Sequence, residues 1–398
     1  MKIVHLIGYF QPEFGYKEYY IARNQAKKGH EVHVITSNKV MPLHEYGGLA
    51  KRLGLPASRD RGKEQLGETV LDGIIVHRLP GIFEIKDFIL LKGVKKLLEV
   101  IKPDIVHAYA PNQGSTIFGP LYKDHFKYFL IGDDQILPET LKPYKSFLGM
   151  VRYQLFQRFF NWFYYKKCDV IFCPNQATKD YLDKYYHCKE KTKLVPLGYE
   201  SDFFYFDKTG REEVRKKFQF TDKDFLIVLI GRITEDKGFD FVIKACADLM
   251  REGSLKILLV GEGDFKEDLK NLVNSLELAG KVFFEDFISE KSLYKYFSAG
   301  DLGVWAKRPS VGISNAIACK LPVLVPDNQF VDHLVAFGNG ITFEKGSKKD
   351  FQEKLKTIVK RKDIYSKLKY NTERAQKYFD YSNLALADLE SYKENLKS

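Results

Sequence analysis

Several features are scarce or missing in this chain of 398 residues. No uncharged apolar run reaches the roughly 18 residues that a membrane-spanning helix needs, so no such helix is expected. The opening MKIVHLIGYF lacks the charged start, apolar run and small-residue cleavage site of a signal peptide. These absences favour a cytoplasmic protein.

Paired cysteines and nucleic-acid-binding patterns are also lacking. The five cysteines include no CxxC pair, which favours reduced thiols over disulfides or a zinc site. The cysteines are Cys168, Cys173, Cys188, Cys246 and Cys319. No zinc-finger, RNP-like or basic-zipper pattern occurs, so nucleic acid is not an expected partner.

The composition is that of a folded, basic protein. Hydrophobic residues make up 44% of the chain, which is enough to build real cores. The formal net charge of +11 favours anionic partners such as phosphorylated metabolites or an acidic membrane surface. The length exceeds that at which a single core stops growing, so two domains of roughly 150 to 200 residues are expected.

Short Val- and Ile-rich runs alternate with amphipathic stretches, which predicts βαβ units and parallel sheets. The predicted strands of the first half are 2–9, 31–37, 73–79, 104–110, 127–132, 169–175 and 193–198. The predicted helices are 16–29, 86–101, 114–124, 143–167 and 176–186. The stretch 39–72, which holds two glycines and several charges, is predicted to be a long loop or lid.

A second strand series follows a turn-rich passage that begins after Gly198. Its predicted strands are 225–233, 256–263, 281–288, 301–306, 321–327 and 340–344. The chain is therefore predicted to have an α/β fold of two doubly wound, Rossmann-like parallel-sheet domains, 1–205 and 206–380, facing each other across a cleft. The last stretch, 381–398, is more than the second domain needs and is predicted to cross back and complete the first.

The sharpest local signal is the loop in LIGRITEDKGFDF. A strand ends at Gly231, Arg232 and Lys237 lie five residues apart, and Gly238 opens a helix whose first amides lack partners. Two cations beside a helix N-terminus suit a diphosphate. A solvated basic loop is the alternative interpretation.

Candidate metal ligands are few. The single Asp-x-Asp, Asp222-Lys223-Asp224, precedes a strand and so lies at the amino end of the sheet, away from where ligands bind. Glu262-Gly263-Asp264 follows a strand, but acids at a helix start are the simpler explanation. No metal site is predicted.

Several segments of the chain form a recognisable set of motifs. They are G-R-x-x-x-x-K-G, VGEGD (260–264), VFFEDFI (282–288), SAGDLGVW (298–305) and AIACKLPVLV (316–325) in the second half, and QPEFGYKEYYIARNQAKKGHEVHVITS, DIVHAYAP and KLVPLGYESDFF in the first. In order and spacing they resemble the motifs of family-4-like glycosyltransferases of the GT-B fold. The resemblance implies a nucleotide-sugar donor held by the second domain, an acceptor held by the first, and transfer with retention of configuration without a metal or other cofactor. By the same resemblance, Arg232 and Lys237 neutralise the leaving diphosphate.

The stretch WAKRPSVGISNAIACK departs from the family pattern. The family usually carries two glutamates eight residues apart here, and these positions hold Lys307 and Asn315. Some similar relatives replace the first acid by a Trp followed by a Ser-Ile-Ser-like turn, so Lys307 need not abolish function. Asn315 can accept one ribose hydroxyl but without charge, which predicts about tenfold weaker donor binding. An ordinary polar helix residue is the alternative for Asn315.

Further residues are assigned to the donor site from the matched segments. Ser310, Val311 and Gly312 can offer backbone amides and a hydroxyl to the phosphates, with charge added by Lys307 or Arg308. Gly231, Gly263, Phe287 and Ile288 are also assigned to the donor site, together with Gly15 of the first domain.

Candidate residues of the first domain lie at predicted strand ends. Gly15 lets a phosphate or the acceptor approach the backbone, or is a simple turn glycine. The family places a functional histidine in the DIVHAYA motif, matching Tyr109, so His107 is either catalytic or a satisfied core histidine. Asp133 and Asp134 bind acceptor hydroxyls or cap a helix.

Two further features bear on acceptor and activity. Similar relatives carry Asp-Asp-His where this chain has Asp133-Asp134-Gln135. The third position is therefore Gln instead of His, which puts an acid/base role of that position in doubt. The segment 144–167 mixes aromatic and basic residues, as in a peripheral membrane helix for a lipid-linked acceptor or in a core helix. Acceptors considered are a glycan, a lipid-linked sugar or a small molecule.

Two rival functions remain open beside sugar transfer. One is a degenerate relative that binds nucleotide or a partner without transfer, which the missing acids suggest. The other is an epimerase of the same fold, which would need proton-moving acids.

Overall fold

The structure, a computed structural model, describes residues 1–41, 63–85, 88–134, 158–307 and 310–396. The chain divides into two compact units. Unit 1 is Met1–Pro196 with Tyr381–Ser398, and unit 2 is Leu197–Asp380. The first boundary thus falls between Pro196 and Leu197, where the sequence predicted 205 and 206.

Unit 1 contains an eight-stranded sheet in the order β10-β9-β8-β7-β1-β2-β4-β3, which is parallel except for β3. Its strands are β1 Lys2–Leu6, β2 Glu31–Ser37, β3 Gly67–Leu71, β4 Ile74–Leu79, β7 Ile105–Tyr109, β8 Phe129–Asp133, β9 Val170–Cys173 and β10 Thr192–Leu194. The separate hairpin strands are β5 Gly81–Ile85 and β6 Phe88–Leu91. Strands such as β1 and β7 are buried along almost their whole length because helices cover both faces.

The helices of unit 1 connect these strands and end in a C-terminal pair. They are α1 Lys17–Lys27, α2 Val94–Ile101, α3 Phe118–Phe126, α4 Arg158–Lys167 and α5 Gln176–Tyr186. Residues 381–396 follow unit 2 in the chain but pack on unit 1, where the Tyr381 ring stacks on Tyr20 at 5.4 Å. The predicted helix 143–167 is described only over α4, and its earlier part lies outside the described residues.

Two predictions for unit 1 are wrong. The stretch 39–72 is not all loop, because Gly67–Leu71 forms a strand antiparallel to β4; residues 42–62 lie outside the described part. The predicted helix 86–101 begins only at Val94, because Phe88–Leu91 pairs with Gly81–Ile85 in a hairpin. Alternate burial along Phe88–Leu91 shows that period-2 packing prevails there.

Unit 2 contains a six-stranded parallel sheet in the order β13-β12-β11-β14-β15-β16. Its strands are β11 Phe225–Ile230, β12 Leu255–Val260, β13 Val282–Glu285, β14 Leu302–Val304, β15 Val323–Pro326 and β16 Gly340–Phe343. The sheet order reverses between β11 and β14, which creates a topological switch point at their carboxyl ends.

Helices cover both faces of this sheet. They are α6 Lys208–Lys217, α7 Phe239–Glu252, α8 Lys266–Ser275, α9 Glu290–Ala299, α10 Gly312–Ala318, α11 Asp332–Val335, α12 Lys348–Lys360 and α13 Lys362–Phe379. The two C-terminal helices of unit 1 are α14 Tyr381–Leu384 and α15 Ala387–Asn395. Two separate hydrophobic clusters, one on each face of the unit 2 sheet, fix its position.

Two general expectations can be checked against these elements. All five cysteines are free and buried. Within the described ranges, no helix combines the length and apolarity needed to cross a bilayer.

Candidate active site

The predicted donor residues lie at the carboxyl ends of four neighbouring strands of unit 2. Apart from Gly15, which lies in unit 1, they lie on the loops after β13, β12, β11 and β14 or in α10, which follows the loop after β14, and these strands are adjacent in the sheet. Phe287 and Ile288 follow β13, and Gly263 follows β12. The donor residues predicted in unit 2 therefore lie along one continuous edge of its sheet, and this edge includes the topological switch point.

Arg232 and Lys237 lie on the loop after β11. Arg232 is exposed, and Lys237 is the last residue of a short 3-10 turn, Glu235–Lys237. Gly238 ends that turn with φ of 72° and serves as the N-cap of α7. The first backbone hydrogen bond of α7 runs from Val242 N–H to Gly238 O, so the amides before Val242 have no carbonyl of the preceding turn to accept them.

Three glycines let the loops after β11 and β12 pack backbone to backbone. Gly231 and Gly261 have φ of 146° and 143°. A Cβ on Gly261 would lie 2.0 Å from the carbonyl oxygen of Gly231, and one on Gly263 would lie 1.9 Å from that of Ile233. Gly231 and Gly263 therefore shape the site through the backbone.

Lys307 joins the loop after β14 to the loop after β11. Its Nζ donates to the carbonyl oxygen of Glu235 at 3.2 Å, which caps the 3-10 turn. A Cβ on Gly238 would lie 2.8 Å from Lys307 Cγ, so the lysine stem packs against the start of α7. Lys307 thus brings a third cation to the edge that carries Arg232 and Lys237.

Trp305 holds the turn that follows β14. The buried indole donates Nε1–H to Ser310 Oγ at 3.0 Å. Its ring also lies beside Gly312, where an added Cβ would approach Trp305 Cζ2 to 3.4 Å. Val311 remains 44% exposed on this turn. Arg308 lies outside the described residues.

Asn315 is the most enclosed of the predicted donor residues on this turn. It lies in α10 with 9% of its surface exposed. Its backbone amide donates to Val311 O at 3.2 Å, and its side chain takes part in none of the hydrogen bonds found in the described parts of the chain. An amide group in this environment is available to a ligand hydroxyl.

Phe287 and Ile288 differ in environment. Phe287 is 51% exposed, whereas Ile288 packs against the cluster that underlies the Trp305 side of the sheet. The loop thus offers one aromatic face at the edge and one anchoring side chain.

The acidic candidates for metal binding have structural partners. Asp224 lies at the amino end of β11, accepts from the Thr221 amide at 2.7 Å and pairs with Lys256 at 3.2 Å. Glu262 pairs with Lys266 at 2.7 Å. Within the described residues, no group of three His, Cys, Asp or Glu side chains has the arrangement of a metal site.

In unit 1, Gly15 follows β1 at the end of a 3-10 turn, Pro12–Phe14. Its φ is 64° and its amide donates to Pro12 O at 3.0 Å. Gly15 therefore has the turn geometry that sequence analysis considered, directly before α1 and beside the switch point between β1 and β7.

The other candidates of unit 1 belong to a buried network. His107 lies between two carboxylates, with Nδ1 2.8 Å from Asp388 Oδ2 and Nε2 3.2 Å from Asp133 Oδ2. Asp133 also pairs with Lys17 Nζ at 2.7 Å. Lys17, His107, Asp133 and Asp388 are each at least 97% buried. Two cations balance two anions, as a buried cluster requires.

A second chain of hydrogen bonds extends from this network through Tyr109. The Tyr109 hydroxyl lies 3.0 Å from His5 Nδ1, and His5 Nε2 lies 2.7 Å from Gln25 Oε1. Because Gln25 donates its Nε2–H to Ala385 O, its oxygen faces His5. His5 therefore donates at Nε2 and accepts from Tyr109 at Nδ1, which is the neutral tautomer.

The pKa values of the two histidines move in opposite directions. Burial and the charge of His107 lower the pKa of His5 to about 4. Burial opposes protonation of His107 too, but Asp388 and Asp133 raise its pKa to about 9. Burial by itself would raise the pKa of Asp133, whereas Lys17 and His107 hold it below the usual value.

His107, Tyr109, Asp133 and Asp134 are all closed to solvent as the structure has them, with at most 2% of each exposed. Both ring nitrogens of His107 thus have partners inside the core, which is the alternative interpretation given in the sequence analysis. Asp134 accepts a hydrogen bond from the Tyr165 hydroxyl of α4. Gln135 lies outside the described residues.

Sequence reasoning missed Lys17, Asp388 and His5. Lys17 lies far from Asp133 along the chain, and His107 lies even farther from Asp388. No local sequence pattern therefore joins either pair. The only available signal was their position, since His5 lies within a predicted strand and Lys17 follows the Gly15 turn.

Two cavities lie elsewhere in unit 2, with volumes of about 640 and 350 Å³. Both include Phe206 in their walls and neither includes a predicted donor residue.

Two family models match the chain. The model of glycosyltransferase family 4 matches residues 19–203, and that of glycosyl transferases group 1 matches 210–375. The first match falls almost wholly on unit 1, and the second lies within unit 2.

Individual relatives are distant. An uncharacterised glycosyltransferase of Methanocaldococcus jannaschii is 27% identical over 252 residues, 60% of this chain and 60% of that protein. The alpha-monoglucosyldiacylglycerol synthase of Streptococcus pneumoniae is 26% identical over 175 residues, 42% of this chain and 40% of that enzyme. The matches thus span about half the length of these relatives.

Among solved structures, Anabaena HepE in complex with UDP matches 99% of this chain and 100% of its own, with a TM-score of 0.68 at 15% identity. Another structure of HepE contains UDP-glucose. The likeness shows the fold, and the family matches confirm the resemblance drawn from the motifs. The chain therefore has the two domains of the GT-B glycosyltransferases and is a member of that class resembling family 4.

Proposed function

We propose that the protein transfers a sugar from a nucleotide-diphosphate donor to an acceptor hydroxyl, with retention of configuration and without a bound metal. The observation that carries this proposal is the donor edge of unit 2, where Arg232, Lys237 and Lys307 lie on loops after two adjacent strands at a switch point. Anionic ligands bind at such edges because unpaired amides and cations converge there.

The reaction breaks the bond between the sugar C1 and the diphosphate oxygen and forms one between C1 and the acceptor oxygen on the same face. Negative charge develops on the departing diphosphate, and Arg232 and Lys237 stabilise that charge in the transition state. The acceptor hydroxyl gives its proton to the departing phosphate oxygen, so no protein base is required.

The names of similar proteins support a nucleotide-sugar donor. HepE is described in complexes with UDP and UDP-glucose. UDP-sugars are therefore the first donors to test here, followed by GDP-sugars. The acceptor class, whether glycan, lipid-linked sugar or small molecule, follows from a product screen.

We assign the buried residues of unit 1 a positioning role. His107, Tyr109 and Asp133 lie beneath the carboxyl edge of that sheet, where burial keeps them from touching a sugar directly. Together with Lys17, they fix the strand ends and the start of α1, on which an acceptor would rest.

Substitution of the donor cations tests the proposal. Lys237→Ala and Arg232→Ala should each lower kcat by about 100-fold or more, with a smaller change in donor KM. Lys244→Ala is the matched control, because Lys244 is an exposed lysine on α7 that pairs with Asp240 on the same helix. Full turnover by Lys237→Ala in a donor-panel assay would overturn the assignment.

Chelation tests the metal-independent part. Turnover should be unchanged in excess EDTA, because the charge of the diphosphate is matched by side chains. Loss of activity in EDTA that Mg²⁺ or Mn²⁺ restores would contradict it.

A degenerate protein that binds nucleotide without transfer is the second candidate. The observation that favours it is the absence of a carboxylate at Lys307 and Asn315. Saturable binding of UDP or GDP without turnover of any donor would support this candidate, and product formation would remove it.

A further inference from the structure

Unit 1 exposes large apolar side chains at two separate elements. On the β5–β6 hairpin, Ile82 is 61% and Phe83 49% exposed. On α4, Phe159 is 61% and Trp162 45% exposed. These four residues are referred to below as the apolar patch. Lys166 Nζ lies 4.8 Å from the centre of the Trp162 ring. Contiguous exposed apolar surface marks interaction sites on soluble proteins.

The hairpin is fixed to the carboxyl edge of the unit 1 sheet. Ile89 of β6 forms a bridge with Gly114, in the loop after β7. Glu84 of β5 accepts from the Tyr9 hydroxyl at 2.8 Å and pairs with Lys39, and these two residues follow β1 and β2. Ile82 and Phe83 are therefore presented on an anchored element.

The start of α4 lies at the same edge. Tyr164 donates its hydroxyl to Ala108 O at 2.5 Å, and Tyr165 bonds Asp134, which directly follows β8. Phe159 precedes these anchors by more than one turn and Trp162 by less than one turn, and both are exposed on the same helix. The segment Pro111–Gln113 contacts both β6 and α4, which makes the hairpin and the helix neighbours.

Exposed cations lie on the elements that carry this patch or directly follow them. Lys92, Lys95 and Lys96 are exposed at the start of α2, directly after the hairpin, and Arg158 is exposed at the start of α4. The ion pairs of the described residues include none of these four, whereas Lys123 and Lys167, toward the amino edge of the sheet, pair with Asp169 and Asp124. The nearest acid on α2, Glu99, lies one turn beyond Lys95.

We propose that this face of unit 1 binds the surface of an anionic bilayer. Aromatic and aliphatic side chains enter the interface between headgroups and acyl chains, while lysines that form no ion pair within the described part of the chain interact with anionic headgroups. A protein partner is less well matched, because three lysines clustered beside the patch would each lose hydration on burial. The proposal does not depend on sugar transfer, since the patch contains none of the donor residues.

Vesicle co-sedimentation of the full chain tests the proposal. The chain should bind vesicles of equal parts phosphatidylglycerol and phosphatidylcholine, and bind phosphatidylcholine vesicles at least tenfold more weakly. Added salt should weaken the binding, because it screens the lysines. The variant Phe83→Ser/Trp162→Ser should lower the partition coefficient at least tenfold. The triple change of Lys92, Lys95 and Lys96 to Gln should have an effect of similar size.

Matched controls test whether vesicle binding depends on this patch or on exposed apolar and basic side chains in general. Val70→Ser/Val100→Ser removes two residues that are 71% and 70% exposed at the opposite, amino edge of the same sheet. Changing Lys345, Lys348 and Lys349 of unit 2 to Gln removes the same charge. Both controls should bind as the unmodified chain does. All the altered side chains are exposed, so thermal melts should stay close to the parent.

Three results would overturn the proposal. They are no binding of the unmodified chain to either vesicle, equal binding to both vesicles, or patch variants that bind as well as the controls do. If patch variants alter only association of the chain with itself or another protein, the face is a protein interface instead.

Discussion

At the scale of single residues, Gly263 shows how a donor position acts through packing. A Cβ there would meet the backbone oxygen of Ile233, which cannot move without shifting the loop that carries Arg232. Gly263→Ala should therefore lower the free energy of unfolding by about 3 kcal/mol. Urea unfolding measures the change. Gly253→Ala is the control, because its Cβ would meet nothing closer than 3.6 Å, and an equal effect of the two changes would contradict the packing argument.

Asn315 offers a residue-scale test of the missing carboxylate. If its side chain faces the ribose, Asn315→Glu should strengthen UDP binding about tenfold, because a charged acceptor makes the stronger hydrogen bond. Titration calorimetry measures the affinity. Asn315→Gln, whose side chain has the length of glutamate but no charge, should not show the gain. Unchanged affinity in a folded Glu variant would remove Asn315 from the site.

Local sequence was informative about some site residues and silent about others. Arg232, Lys237 and the glycines could be predicted because a strand, a tight loop and a helix start occur in one short stretch. The partners of His107 could not, because Lys17 and Asp388 meet Asp133 and His107 only after the whole sheet and the C-terminal segment have assembled. Their ion pairs are consequences of tertiary packing.

At the scale of elements, the C-terminal segment is held to unit 1 by charge. Asp388, in α15, pairs with His107, whose pKa is raised to about 9 from an ordinary 6.5. A raised pKa adds stability that is complete below pH 6.5 and is lost as the pH rises toward 9. Stability of the unmodified chain should therefore fall across this window.

Asp388→Asn tests that attachment. Removing one charge of a buried pair should cost about 3 kcal/mol near neutral pH and should flatten the decline between pH 6.5 and 9. Chemical unfolding across that range measures both effects. Asp363→Asn, which breaks an exposed pair with Arg361, should change little. A parallel pH profile for Asp388→Asn and the parent would contradict the charge argument.

The hairpins of unit 1 show where element prediction failed. The sequence VLDGIIV contains an Asp-Gly pair between apolar runs, which is a strong hairpin signal. In the structure, Asp72 and Gly73 both have positive φ and join β3 to β4. The β3–β4 hairpin could therefore have been predicted.

The β5–β6 hairpin was harder to predict. The segment FILL is short and suits a helix as well as a strand, and only its pairing with Gly81–Ile85 decides between the two.

At the scale of the whole molecule, alternation of strands and helices was sufficient to predict two parallel-sheet domains, whereas the GT-B class was inferred from the resemblance of the motifs to a known family. Parallel strands buried on both faces have strong apolar runs, and these are visible in sequence. The boundary was less well defined, since the linker passage after Gly198 already packs as part of unit 2, where Tyr199 N–H donates to Phe379 O. Composition cannot reveal such a contact.

A crystal structure of the protein with bound UDP, supported by saturable binding in solution, would decide whether the donor edge is correctly placed. The account predicts the diphosphate beyond the ends of β11 and β14, within hydrogen-bonding distance of Arg232 and Lys237. A nucleotide bound anywhere else, or at this edge with both side chains turned away from its phosphates, would contradict it.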